Sequence, residues 1–177
     1  VPVEELGPVV TLLQGRVFPQ WDSREIGFSG RLILKALEKA TGASTKTIES
    51  LWTKMGDLGN VAADLVKKKT QATLTTEELS IKKIMTNLQK LETVAGVGTV
   101  ERKISLVAEL VTSASSDEAR FIIRTVLGEL RVGIAAGIVR DAIAQAFHQK
   151  NVAVEHAFDL IGDYGEVAVH AKKGTLE

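Results

Sequence analysis

A pattern of glycines and apolar residues recurs in this sequence at a shift of 106 residues, which indicates either an internal duplication or a coincidence among alanine-rich helices. Residues 26–67 align with residues 132–173 without a gap, and a GDxG sequence falls at the same place in each copy. At positions between the identical residues, an apolar residue in one segment often aligns with an apolar residue in the other. Because stacked copies of one unit bury a common core, the sequence predicts two copies of a three-helix unit, approximately 26–69 and 132–175, related by a rough twofold.

Helical periodicity recurs along the chain, and no alternating strand pattern is found. No proline follows Pro19, so no later helix is interrupted in that way. Three helices are expected within 75–130. The first opens at Thr75, the second covers 99–113 with Thr99 as its expected N-cap, and the third opens at the capping box Ser115-Ser116-Asp117-Glu118. The predicted fold class is all-α, with about ten helices, the others lying near 3–13, 29–41, 45–54, 58–69, 135–148, 152–160 and 164–172.

Composition excludes several classes of function. Lys and Arg (22) balance Asp and Glu (22), so binding to a polyanion must come from local clusters. The absence of cysteine excludes disulfides, cysteine zinc sites and cysteine nucleophiles. No apolar run is long enough to span a bilayer, so no membrane partner is expected. No catalytic, cofactor-binding or metal-binding residue is predicted, and the three histidines are expected on helix surfaces: His148, His156 and His170.

Each copy begins with a glycine turn that leads into a helix, IGFSGRL at 26–32 and VGIAAGI at 132–138. Glycine permits close approach, and the free N–H groups of a helix N-terminus attract phosphate. Two such turns could hold the two strands of a duplex across its minor groove; alternatively, the glycines only permit tight turns between helices. The candidate DNA-contacting residues are Arg24, Gly27, Ser29, Gly30, Arg31, Arg124, Arg131, Gly133, Ala135, Ala136 and Gly137.

Two blocks carry a family resemblance. Residues 101–147, with EARFIIRTVLGELRVG at their centre, resemble the N-terminal DNA-binding domain of ATP-dependent DNA ligases of the archaeal and eukaryotic replicative type, and residues 12–42 resemble the segment upstream of it. The resemblance implies an all-α domain with internal pseudo-twofold symmetry. It also implies docking on the minor groove of nicked duplex DNA, where this domain helps the adenylation and oligonucleotide-binding-fold domains to encircle the nick.

The expected function is therefore sequence-independent binding of nicked double-stranded DNA in replication and repair, in the cytoplasm or nucleoid, or in a eukaryotic nucleus. The alternative is a helical-repeat module that binds proteins and no nucleic acid. No lysine is followed by x-Asp-Gly, the sequence that carries AMP in those ligases. The chain, 1–177, is thus expected to be one DNA-binding domain excised from a longer protein, without the adenylation and oligonucleotide-binding-fold domains, and not an enzyme. ATP and Mg²⁺ would be cofactors of the parent enzyme, not of this part.

Partners beyond DNA follow from the same resemblance. The adenylation domain of the parent chain is one, and a sliding clamp is a further candidate. Residues 66–80 occupy the place where archaeal ligases carry a clamp-binding loop. Gln71 and Leu74 fit such a peptide, but Thr75 and Thr76 stand where aromatic anchors are expected.

Overall fold

The computed structural model describes residues 1–69, 78–130 and 136–176, and within these ranges it contains ten α-helices and no strand. The all-α prediction is confirmed. The helices are α1 (Val3–Leu13), α2 (Gly30–Thr41), α3 (Thr45–Met55), α4 (Leu58–Lys68), α5 (Ile81–Thr93), α6 (Thr99–Ser113), α7 (Ser116–Val126), α8 (Ala136–Ala146), α9 (Asn151–Ile161) and α10 (Tyr164–Lys173).

The capping box predicted at the start of α7 is confirmed. The Ser115 hydroxyl accepts a hydrogen bond from the Glu118 amide, and the Glu118 carboxylate accepts one from the Ser115 amide at 2.7 Å. Each side chain satisfies an amide that the helix cannot pair internally. The sequence pattern therefore places this helix start correctly.

Two other predicted helix starts are wrong. Residues 78–80 are not helical: α5 begins at Ile81, because the Ser80 hydroxyl caps it by accepting the Lys83 amide at 3.1 Å. The expected opening at Thr75 itself lies outside the described residues. For α6 the N-cap is Gly98, whose φ of 76° suits glycine, and Thr99 is the first helical residue.

Helix bounds in the two predicted copies correspond under the 106-residue shift. Helices α3 and α9 match at both ends, 45–55 and 151–161, while α2 and α8 begin at Gly30 and Ala136. The GDxG aspartates, Asp57 and Asp163, are the N-caps of α4 and α10, with φ of −142° and −144°. The duplication itself stays a prediction.

The chain divides into two compact units, which do not coincide with the copies. The continuous unit, 25–130, contains α2 to α7; in it α4 packs along α7 and α2 along α6. Its core consists of fully buried aliphatic side chains, the largest being Ile33, Leu37, Ile48, Leu58, Leu88, Leu91, Leu110 and Ile123.

The discontinuous unit joins residues 1–24 to 131–177 and contains α1, α8, α9 and α10. Helix α10 packs along α1. Val154 and Val167 are fully buried in its core, and the Phe158 ring stacks on Tyr164 with 4.0 Å between centroids. Burial raises the pKa of Tyr164 above its ordinary value.

Helices α1 and α7 are also counterparts, at a shift of 113 residues. A Cβ on Gly59 of α4 would lie 2.8 Å from the Arg120 carbonyl oxygen of α7, and one on Gly165 of α10 would lie 2.9 Å from that of Gly7 in α1. Glycines with φ of 71° and 68° follow α1 and α7, at Gly15 and Gly128. The correspondence of bounds therefore extends to a fourth pair of helices beyond the three predicted for each copy. Helix α1 packs on α10, and α7 packs on α4.

Candidate nucleic-acid interface

The turn before α2 exposes backbone at the start of a helix. Gly27 is exposed with φ of 57°, and among the residues that the structure describes nothing lies within 4 Å of a Cβ built on it. Phe28 is buried and anchors the turn, while Ser29 is the N-cap of α2. The Ser29 side chain makes no capping hydrogen bond, so the first two amides of α2, those of Gly30 and Arg31, have no side-chain acceptor from their N-cap. This arrangement can accept an anionic oxygen.

Gly30 has a packing reason of its own. A Cβ on Gly30 would lie 3.2 Å from the Trp52 ring and 3.5 Å from a Leu58 methyl group. The start of α2 therefore rests on α3 and α4. The predicted DNA contact at Gly30 stays a prediction, and the structure shows a requirement for a small residue there.

Exposed cations follow the turn within the continuous unit. Arg31 and Lys35 lie one helical turn apart on α2, and Lys46 and Lys54 lie on the exposed side of α3. Sequence reasoning selected Arg31 and missed the three lysines. The net charge of the first predicted copy could have indicated them, because residues 26–69 hold eight Lys and Arg against four Asp and Glu.

Arg24 lies in the other unit and is engaged locally. Its guanidinium forms hydrogen bonds to both carboxylate oxygens of Asp22, the closest at 2.5 Å, and stands over the Phe18 ring at 4.4 Å from its centroid. The Arg24 hydrogen bonds hold the pKa of Asp22 below its ordinary value. A phosphate would have to compete with Asp22 for this guanidinium.

Arg124 ties α7 to the start of α4. Its guanidinium pairs with the Asp57 carboxylate at 2.9 Å and donates a hydrogen bond to Asn60 Oδ1 at 3.3 Å. Burial acts to raise the pKa of Asp57, but the Asn60 amide and Arg124 outweigh it, so the pKa lies below its ordinary value. Arg124 thus has a demonstrated structural role, and its contact with DNA stays a prediction.

The second turn is described only in part. Ala136, exposed, and Gly137, half-buried, form the start of α8, and a Cβ on Gly137 would meet no atom of the described residues within 4 Å. The other candidates at this turn, Arg131, Gly133 and Ala135, lie outside the described residues, as do the clamp candidates Gln71 and Leu74.

The three histidines occupy different settings. His156 is exposed on α9, and His170 Nδ1 lies 2.9 Å from the Thr175 hydroxyl at the end of α10. His148 follows α8 rather than lying on it, with φ of 54°. Across the described ranges, no three His, Asp or Glu side chains cluster as metal ligands would. In the same ranges no helix is long and apolar enough to cross a membrane.

The fold and the turn define an all-helical domain that presents an open, cation-flanked helix N-terminus. Residues 2–144 match the family model described as DNA ligase N terminus. The chain belongs to this family.

Proteins named DNA ligase align over nearly the whole chain. The chain is 42% identical to the DNA ligase of Archaeoglobus fulgidus, 43% identical to that of Thermococcus fumicolans and 40% identical to that of Methanosphaera stadtmanae. These alignments cover 96%, 97% and 93% of the present chain, respectively. It spans only 30–31% of the length of these relatives.

Proposed function

We propose that this chain is the DNA-binding domain of an ATP-dependent DNA ligase and that it binds nicked duplex DNA without base-sequence preference. Contacts would be made to the minor groove and the phosphate backbone. The observation that carries the proposal is the turn before α2, where exposed Gly27, the uncapped amides after Ser29, and Arg31 occur together. Hydrogen bonds from backbone amides and Arg to phosphate oxygens position a protein on a duplex and carry no information on base sequence.

The positive charges exposed on α2 and α3 of the continuous unit support the proposal. Phosphate contacts dominate affinity for DNA, and exposed Arg and Lys provide them. Arg31, Lys35, Lys46 and Lys54 are all exposed on α2 and α3. Helix α8, which corresponds to α2, would supply the contact to the second strand through Ala136 and Gly137.

The chemistry of ligation is assigned to the rest of the parent protein. ATP and Mg²⁺ would bind there, because this chain has no Lys-x-Asp-Gly sequence and its described part holds no metal-ligand cluster. The adenylation domain would be the intramolecular partner, and a sliding clamp a candidate second partner through Gln71 and Leu74.

A salt titration tests the proposal. Fluorescence anisotropy on a nicked duplex should give a log–log slope of affinity against salt that Arg31→Ala reduces by about 0.9, one phosphate contact. Two nicked duplexes of different base sequence should bind the wild-type chain with equal affinity.

Arg102→Ala is the matched control for this titration. The Lys39–Glu101 ion pair, 3.0 Å long, places the start of α6 beside the end of α2, so Arg102 lies at the opposite end of α2 from Arg31. The control should keep the wild-type slope. A wild-type slope near zero, or equal losses in both variants, would refute the proposed site.

A further inference from the structure

The outer face of α9 differs in chemistry from the corresponding face of α3. The 106-residue shift pairs Lys46 with Val152 and Lys54 with Leu160. Both aliphatic side chains are 75% exposed. Because α3 carries lysines at these positions within the same helical arrangement, packing does not require Val152 and Leu160 to be apolar.

These two residues belong to one exposed stripe. Val152, His156 and Leu160 recur every fourth residue, so they lie on one side of α9, and all three are exposed. At the end of the helix the Trp21 ring lies beside Gly162, 3.4 Å from the position of a Cβ there, and Trp21 is 68% exposed. The α9 stripe is defined here as Val152, His156, Leu160 and Trp21.

Charge around the α9 stripe disfavours DNA as its occupant. Asp159 is exposed on the same helix, as is Glu155, which pairs with Arg140 at 3.5 Å. Residues 132–175 hold four Lys and Arg against five Asp and Glu, the reverse of the balance in the first copy. A protein surface with an apolar centre and surrounding Lys or Arg complements this face.

We propose that the α9 stripe docks against such a surface in the remaining part of the same ligase polypeptide. The stripe can bury only a few hundred Å² of apolar area, whereas independent partners need about 1,200 Å² or more for a stable interface. A partner within the same chain needs less area, because linkage raises its effective concentration. The relatives provide room for it, since this chain matches only 30–31% of their length.

This inference rests on family membership and is independent of the DNA contacts proposed for α2. Hydroxyl-radical footprinting of His156, read by mass spectrometry, compares the isolated chain with the full-length ligase polypeptide that carries it. We expect His156 oxidation to fall about fivefold or more in the full-length protein, because interface cores are nearly fully buried. Both proteins are measured free and with saturating nicked duplex; protection in either condition supports the inference.

The variant Val152→Lys/Leu160→Lys introduces the residues that the first copy carries at these positions, so its helical circular dichroism should be unchanged. In the full-length protein it should restore His156 oxidation to the level of the isolated chain. Val97→Lys, at a residue 97% exposed in the continuous unit, is the control and should leave protection intact. Equal oxidation of the two wild-type proteins in both conditions would overturn the inference. So would protection that the isolated chain already shows with DNA, or protection that survives the double substitution.

Discussion

The Arg124 guanidinium lies 2.9 Å from the Asp57 carboxylate, 67 residues away in sequence. Asp57 is at the same time the N-cap of α4, accepting the Asn60 amide at 2.8 Å. One carboxylate therefore caps α4 and fixes it to α7. This contact stabilises the continuous unit at the helix pair that contains Gly59.

Replacing Arg124 with Met should destabilise the chain by about 1–2 kcal/mol, because a half-buried, hydrogen-bonded ion pair is lost while the aliphatic stem is kept. Lys68→Met, which breaks the exposed Lys68–Asp64 pair, should cost about 0.5 kcal/mol or less. Urea denaturation measures both. At a temperature where both variants are folded, Arg124→Met should weaken binding to nicked duplex less than Arg31→Ala does. The reverse order would make Arg124 primarily a DNA contact.

Stability should fall in acid partly through Asp57. Its pKa in the folded chain lies below the ordinary value of 3.8, so the unfolded chain binds more protons in this range. The stabilisation is therefore fully present above about pH 5 and is lost as the pH falls through the folded pKa. Asn is an equally good N-cap, so Asp57→Asn removes only the titrating charge. The gap between the urea midpoints of wild type and Asp57→Asn should narrow as the pH decreases; a constant gap would contradict this.

Alanine at the two interhelical glycines should destabilise both units. A Cβ on Gly59 or Gly165 would approach a backbone carbonyl oxygen to 2.8 or 2.9 Å, and backbone cannot rotate away. We expect losses of about 1–3 kcal/mol from overpacking, despite the higher helix propensity of Ala. Gly137→Ala, at a helical glycine whose Cβ would meet no atom in the described part of the chain within 4 Å, should instead stabilise the chain by about 0.5–1 kcal/mol. Thermal melts in which Gly59→Ala or Gly165→Ala is as stable as wild type would refute the close packing.

His148 should be replaceable by glycine with a gain in stability. Its φ of 54° occurs where the first copy has Gly42, with φ of 74°. A side chain in this region costs about 1 kcal/mol, so His148→Gly should stabilise by up to that amount. His156→Gly, within α9, should destabilise by about 0.5–1 kcal/mol. Both are measured by thermal denaturation, and a loss in His148→Gly would show that its side chain has a stabilising role.

Substitutions at Gly27 can distinguish two reasons for a glycine there, its backbone conformation and a close approach to DNA. Its φ of 57° strains any L-residue, but Asn tolerates this region better than Ala or Val. Gly27→Asn should therefore keep a thermal midpoint near wild type while weakening binding to nicked duplex. Gly27→Ala should lower the midpoint more, although its side chain is smaller. If Gly27→Asn binds DNA as wild type does, the turn does not approach the duplex closely.

The sequence by itself determined which stretches of the two predicted copies are helical. Capping residues and the 3.6-residue period act within one or two turns, so α3 and α9, predicted near 45–54 and 152–160, and the capping box of α7 were readable locally to within one residue. The start of α5 was misplaced, because the predicted opening at Thr75 did not consider Ser80, whose hydroxyl caps the helix in the structure.

Only the tertiary structure decided which helices pack together and which arginines are engaged. Helix α1 packs along α10, and α7 along α4, through contacts that no local pattern specifies, because the partner glycines lie far from them in sequence. The same holds for Arg124, whose carboxylate partner is 67 residues away. Exposure of Val152 and Leu160 was likewise decided by packing: a 3.6-residue period shows which residues share a side of α9, but the neighbouring helices determine which side is covered.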